Sequence, residues 1–442
     1  MSAEAGHKAR MSNYRNVTVL ILAIGLMQVG GGILGVVTPL GLSDLGLSEE
    51  IIGGVAALYA AGFMVGAWTA PRAIAAVGHI RTYAAAAGVV AIGALLMGLE
   101  PDAGLWTLVR LAQGLGMAWM FASAESWMSS STPAEWRGRV LGLYHVIAKA
   151  AMLGGPFLVA GISALAPAPW IWIAIFTIAG LVPICLTRQG EPARPGKRAM
   201  GPLKILRIAP AALWGSVLAG VINTGTLALL PVYALELGTG EGAGAGTSIA
   251  AIAMAAAWIG GVVSQWPMGR LSDLVDRRLV IAGMGLVSGA AALALGLFGA
   301  GLTLWPVMGL LALWGAGSLS FYGVAVAHGV DRTETADAAP LMSGLLFVWA
   351  AGSVIGPPLA GLSFRLSEGG GGLFVFAAAL SGLLTLAMLW RTGQRPKASN
   401  EDRESFEMAQ PTSVAVAEID PRGEPPADAP ESPEDRPHDL PR

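Results

Sequence analysis

The sequence predicts an all-α membrane protein with twelve transmembrane helices in two pseudo-symmetric six-helix bundles, both termini cytoplasmic. Three observations carry that expectation. Of the 442 residues, 54% are hydrophobic and only 13% are charged, about half the charged share of an ordinary soluble domain. Apolar runs recur that reach the roughly 20 residues a helix needs to cross a bilayer. The basic residues fall in alternate loops between those runs.

Taken in order, the first run, 17–40, is longer than the apolar core of a cleaved leader and lacks a cleavage site, so it stays as a membrane helix. Asp44, Glu49 and Glu50 separate it from the second run, 51–71, and Arg72 and Arg81 separate that from the third, 82–99. Glu100 and Asp102 precede 105–128, and Arg137 and Arg139 precede 140–165, which is followed by 170–187. Beyond a basic connection come 209–235, 248–268, 279–301, 305–327, 342–363 and 374–390. The 61 glycines suit helices that pack closely within lipid, where small residues let backbones approach. Cys185 is the lone cysteine, which excludes a disulfide framework and a cysteine-based metal site.

With a cytoplasmic N-terminus, the loops starting at residues 72, 129, 188, 269 and 328 are cytoplasmic as well. They hold fourteen Lys and Arg, against Arg365 alone in the opposite loops, which carry acids such as Asp44, Glu49, Glu50 and Asp102. Positive charge marks the cytoplasmic side. The expected location is therefore the cytoplasmic (inner) membrane, crossed many times.

The connection 188–208 divides the chain into bundles at 17–187 and 209–390, flanked by a cytoplasmic segment, 1–16, and a tail, 391–442. The halves repeat at a spacing near 200 residues. GLYHVIAKAAMLGGPFLVAG (142–161) matches GLLFVWAAGSVIGPPLAG (344–361), and PRAIAAVGHIRTY (71–83) stands where GRLSDLVDRRLV (269–280) does. The tail is rich in Pro, Asp and Glu and poor in large apolar side chains. Such a composition cannot bury a core and is expected to be a disordered cytoplasmic extension.

Twelve helices in repeated halves, with G-R-L-S-D-L-V-D-R-R (269–278) between the eighth and ninth, resemble the major facilitator superfamily (MFS). The stretch is similar to that superfamily's loop signature, G-x-L-x-D-r-x-G-R-R, with Asp276 where a glycine is usual. W-T-L-V-R-L-A-Q-G-L-G (106–116) resembles its helix-4 signature. QWPMGRLSD (265–273), GHIR (78–81), Glu125-Ser126 and RGRVLGLY (137–144) together look like the YcaD-like branch. In the first half the loop signature is degraded: Pro71 stands for the first glycine and Ala75 for the aspartate. The resemblance covers roughly residues 15–390 and implies a transporter that works by alternating access; the branch implies no substrate.

A transporter of this kind holds its solute near the midplane, between the halves. Ionisable side chains inside a membrane helix are costly, so they mark function by default. Lys149 ranks first: it lies about ten residues into helix 5, roughly 15 Å deep at 1.5 Å per residue. A lysine held by backbone carbonyls is the bland alternative. His145 is one turn away on the same face and belongs to a residue type that carries protons near neutral pH; a structural histidine is its alternative. Arg110 and Gln113 sit toward the outer end of helix 4, and the resemblance associates that arginine with proton or substrate handling. Gln28, Asn223, Gln265, Tyr59, Trp119 and Trp349 are further cavity candidates, each with helix packing as the rival reading. Gly154, Gly155 and Pro156, and Gly356, Pro357 and Pro358, are expected to pack closely and kink helices 5 and 11.

The cytoplasmic gate is expected to comprise Gly269, Asp273, Arg277 and Arg278, with Glu125 pairing to Arg72 or Arg81 as the resemblance implies. Asp273 should face the positive N-terminal end of helix 5, and Arg277 and Arg278 should reach nearby acids or helix C-terminal carbonyls.

No P-loop, no H-E-x-x-H, no Cys/His cluster and no G-x-S-x-G elbow occurs in the sequence. An enzyme, a cofactor, a metal, a nucleotide and a nucleic-acid partner are therefore not expected. The expected function is secondary active transport of a small solute across the lipid bilayer, with protons as a candidate coupling ion. A deep lysine without a midplane acid favours an anionic or zwitterionic solute. The rival is a transporter-like sensor or scaffold that binds a solute or partner without moving it.

Overall fold

The computed structural model describes residues 2–132, 136–186, 199–237, 245–366, 368–394, 406 and 411–412. Among them no strand forms, and every extended element is a helix. The first half consists of α1 (Ser2–Asp44), α2 (Glu49–Val77), α3 (His79–Leu99), α4 (Ala103–Ser131), α5 (Arg137–Gly154) and α6 (Pro167–Cys185). The second consists of α7 (Pro210–Leu237), α8 (Ala245–Leu274), α9 (Arg277–Phe298), α10 (Leu304–Val330), α11 (Thr335–Phe364) and α12 (Gly372–Gln394).

Eleven described segments are long and apolar enough to cross a membrane. The expected run 105–128 is not among them, although α4 is a 29-residue helix. Arg110 and Gln113 sit inside it and lower its hydropathy; it nonetheless packs between α2 and α3 as a member of the bundle.

Several boundaries move outward from the sequence expectation. The segment 1–16 was expected to lie outside the first helix, whereas the backbone of α1 is helical from Ser2. The linker 188–208 contains a short helix, Pro202–Ile208, entered through Pro202 in its first turn, where proline's missing N–H costs nothing. It is tied to the start of α11 by Met200 N–H donating to Pro340 O at 2.8 Å and by Lys204 Nζ at 2.7 Å from Asp337. Residues 187–198 lie outside the described set. The tail, read as disordered from 391 on, begins with the last turn of α12, and Phe406, Pro411 and Thr412 are seated against the bundle.

Close packing follows the small residues, and it repeats. Gly62 of α2 lies against the Leu111 backbone of α4, and Gly114 of α4 against Tyr59 of α2. In the second half Gly260 of α8 lies against Ala312 of α10, and Gly315 of α10 against Ala257 of α8. A Cβ at any of these would meet a carbonyl, so glycine is what lets the axes approach.

The GGP and GPP segments behave differently. In α5 the helix gives way at Gly154 to a 3-10 turn, Gly155–Val159, whereas α11 runs through Pro357 and Pro358 as one helix. Gly155 packs on the Val29 backbone of α1, Gly356 on the Val221 backbone of α7, and Gly154 has open space.

The halves meet at the end that carries the acids. Arg365 Nε lies 2.6 Å from Glu49 Oε2, Thr247 Oγ1 donates to Ile162 O at 3.0 Å, and Gly53 of α2 packs on the Pro357 backbone of α11. Arg365 is held above its ordinary pKa by the hydrogen bond to Glu49 and then by that acid's charge.

Candidate functional site

Between the halves lies a cavity of about 390 Å³. It runs from Thr38 and Ile52, toward the acidic end, to Phe121 and Gln265 and finally to Pro411 and Thr412 at the basic end. Its wall is mostly apolar, and Lys149 and Arg110 are the ionisable Lys, Arg, Asp, Glu or His side chains among its described lining residues. Among the described residues that leaves two cations and no carboxylate in one cavity.

Each cation rests on a ring. Lys149 Nζ stands 3.7 Å from the centre of the Trp258 indole, and Arg110 lies 4.1 Å over Tyr59. Such contacts are worth about 0.5–2 kcal/mol, less than burial of a charge costs. Arg110 also donates to Gln113 Oε1 at 3.3 Å, and Gln113 Nε2 donates to Val90 O at 3.4 Å. Arg110 is only 8% exposed, and its Nε has no hydrogen-bond partner among the described residues. On the opposite wall Asn223 sits in a π-turn of α7, Gly220–Thr224. It donates to Ser318 O at 3.0 Å and accepts from Ser318 Oγ at 2.6 Å. Single π-turns inside α-helices recur at functional sites.

At the basic end the loop 269–278 forms a charge cluster. Arg277, 1% exposed, makes a two-pronged contact with Asp331 at the end of α10, Nε–Oδ2 2.6 Å and Nη2–Oδ1 3.1 Å. Its Nη1 lies 3.2 Å from Asp273 and 3.0 Å from Ser272 Oγ. Arg278 closes on Asp276 at 2.7 Å and donates to Arg391 O, in the last turns of α12, at 2.7 Å. Asp276 caps α9 by accepting from Arg278 N–H at 2.9 Å. Burial pushes the Asp276 carboxyl up, but the Arg278 hydrogen bonds and charge outweigh it and leave it below the usual carboxylate range.

A family model matches this chain twice, over residues 20–266 and 241–426, and its description is Major Facilitator Superfamily. The chain belongs to the major facilitator superfamily. It is 27% identical to the MFS-type transporter YcaD of Salmonella typhimurium over 390 residues, 87% of this chain and 98% of that one. In fold it is similar to the nucleoside transporter NupG, with a TM-score of 0.66 at 12% identity, covering 85% of this chain and 98% of that one. The Escherichia coli fucose:proton symporter FucP superposes with a TM-score of 0.56 at 14% identity over 86% and 99%.

Within this MFS fold the sequence candidates separate. Lys149, Arg110, Gln28, Asn223, Gln265, Tyr59 and Trp349 line the cavity. Gln113 does not; it stands behind Arg110 and holds it. His145 is buried beside Tyr144, ring centres 4.8 Å apart, and does not line the cavity either. Trp119 donates to Thr69 Oγ1 at 2.9 Å, which makes it a packing residue between α4 and α2.

The gate group differs from the expectation at Glu125. Glu125 accepts from Tyr144 Oη of α5, whereas Arg72 lies over Trp68 of its own helix and Arg81 is exposed. Among the described contacts Glu125 is joined to Tyr144 and not to either arginine. Asp273 lies 3.2 Å from Arg277 and accepts from the Phe406 backbone N–H. The degraded first-half loop has its own internal bond: His79, at the repeat position of Arg277, is buried and 3.2 Å from Ser126 of α4. A histidine–serine hydrogen bond there stands in place of the Arg277–Asp331 ion pair.

Sequence reasoning missed Trp258, Asp331, Tyr144 and Phe406. Asp331 and Phe406 had legible signals: an acid just beyond an apolar run, and a phenylalanine in an otherwise polar tail.

Proposed function

We propose that the chain is a secondary active transporter of the inner membrane that carries a small organic anion through the central cavity by alternating access. The observation that supports this is the pairing of Lys149 and Arg110 in one apolar space that holds no acid among its described residues. A buried cation without a carboxylate is unfavourable until an anion joins it. The aromatic and aliphatic wall suits a solute with an apolar body, and the volume suits a metabolite rather than a peptide chain. Asn223, Gln28 and Gln265 supply neutral hydrogen bonds that would orient it.

The basic end is read as cytoplasmic, with both termini there, because Lys and Arg concentrate on that side. The protein is read as having no catalytic step of its own, so the energy comes from a gradient; protons are the first coupling ion to test. Reconstitution into proteoliposomes answers both points. Uptake of radiolabelled aromatic and aliphatic carboxylates should be saturable, and an imposed pH gradient should change its rate if protons couple. Binding of carboxylates with no flux in either direction would replace this reading by the sensor alternative.

A further inference from the structure

The chain's own C-terminal segment lies at the basic mouth of the cavity. The Phe406 ring sits on Gly269 of α8, so close that a Cβ at that glycine would collide with it. Its backbone N–H donates to both carboxylate oxygens of Asp273, at 3.0 and 3.2 Å. The ring packs against the main apolar core of the bundle. Pro411 and Thr412 then line the cavity itself, in the same space as Lys149 and Gln265. Two separate points of the tail thus touch the mouth: one anchored on α8, one inside the opening.

We propose that Gly269 and Asp273 form a docking site for the C-terminal segment, anchored by Phe406, and that docking obstructs solute passage at the basic end. The glycine gives the ring a seat that any side chain would fill. The carboxylate gives a charged acceptor for the Phe406 backbone N–H, roughly twice as strong as a neutral one. Because Phe406 is tethered a dozen residues beyond Gln394, its local concentration is in the millimolar range, and the ring and the Asp273 hydrogen bonds act together to hold it. With Phe406, Pro411 and Thr412 seated, the cavity is hindered at the basic end, while α2 and α11 touch at the acidic end. Leaving of the tail is then a step that precedes solute entry from the basic side. The proposal concerns access to the cavity and stands whether or not the solute is an anion.

The test uses the full chain in lipid nanodiscs, with Cys185→Ser to remove the native thiol and Gln265→Cys as the reporter. Gln265 lines the cavity one helical turn from Gly269. The labelling rate of that cysteine by a sulfonated maleimide is measured in this parent, in the same chain with Phe406→Ala, and in the chain ended after Gln394. Loss of a seated phenylalanine weakens docking by about tenfold or more, so both variants should label about tenfold faster or more, with melting temperatures equal to the parent's. Phe406→Leu, which keeps an apolar anchor, should label at an intermediate rate. A rate in Phe406→Ala within twofold of the parent overturns the proposal, whatever the truncation does.

Discussion

Replacing Lys149 by methionine should make the protein a poorer binder and no less stable. The substitution keeps the apolar stem that lies along α5 and removes the ammonium 3.7 Å above the Trp258 ring. The lost cation–π contact is worth about 2 kcal/mol at a desolvated site. Against it stands the relief of a half-buried ammonium with no carboxylate beside it among the described residues, a cost below that of full burial, so the two roughly cancel. Toward an anion the sign reverses. A charge-assisted hydrogen bond contributes about 1.5–3 kcal/mol, so its loss weakens binding roughly tenfold to 150-fold. Two measurements on the same samples separate these effects: melting temperature without ligand, and calorimetric Kd for the carboxylate that stabilises the parent most in a thermal-shift panel. An unchanged Kd removes Lys149 from the site. A melting temperature several degrees lower makes it a packing residue.

The remaining predictions concern the two ends of the molecule. Asp331→Asn removes the two-pronged carboxylate partner of the buried Arg277 and should cost about 3–5 kcal/mol; Arg277→Met with Asp331→Leu should recover most of that loss in thermal unfolding. Arg365→Gln removes the ion pair that joins α11 to α2 at the acidic end and should raise the labelling of a Thr38→Cys reporter from that side; unchanged labelling would show that the glycine contacts alone keep it shut. Asp276 has a folded pKa below its unfolded value of about 3.9, so its contribution is complete above that pH and fades as pH falls through the lower, folded value. Asp276→Asn should therefore melt below the parent by a constant amount from pH 7 to pH 5, and the two curves should converge only in stronger acid.

The two-bundle architecture was legible because lipid forces every backbone polar group into helices and charge sorts the loops. The run 105–128 was read from the sequence with the other eleven, although Arg110 and Gln113 dilute its hydropathy enough to leave α4 outside the eleven described segments that are long and apolar enough to cross a membrane. The cavity cations were legible for the same reason in reverse: a charge inside an apolar run stands out. What faces a charge did not stand out. Trp258 lies in a run of alanines, and nothing local says that its ring meets Lys149 from the other half. Glu125 illustrates the limit of carrying a partner over from a resemblance. Rim arginines were the expected mates, yet Tyr144 on α5 fills that position.

The placement of Lys149 on Trp258 also bears on how solute binding could be linked to movement. The lysine belongs to the first half and the tryptophan to the second, so their contact is a tie between the bundles. A ligand shifts a conformational equilibrium only by its differential affinity for the two states. An anion that draws the ammonium off the indole loosens that tie on binding, and releases it back on leaving. A neutral solute bound to Asn223 and Gln28 has no such lever, since both amides are already engaged within their own halves, Asn223 with Ser318 and Gln28 with the Met152 sulfur. The charge of the solute and the mechanics of the cavity therefore belong to one question. Trp258→Leu separates them: it removes the tie and keeps the cation, so anion affinity should rise while the dependence of bundle movement on the anion falls. Spin labels across the basic face would report that dependence, and an undiminished response in Trp258→Leu would place the lever elsewhere.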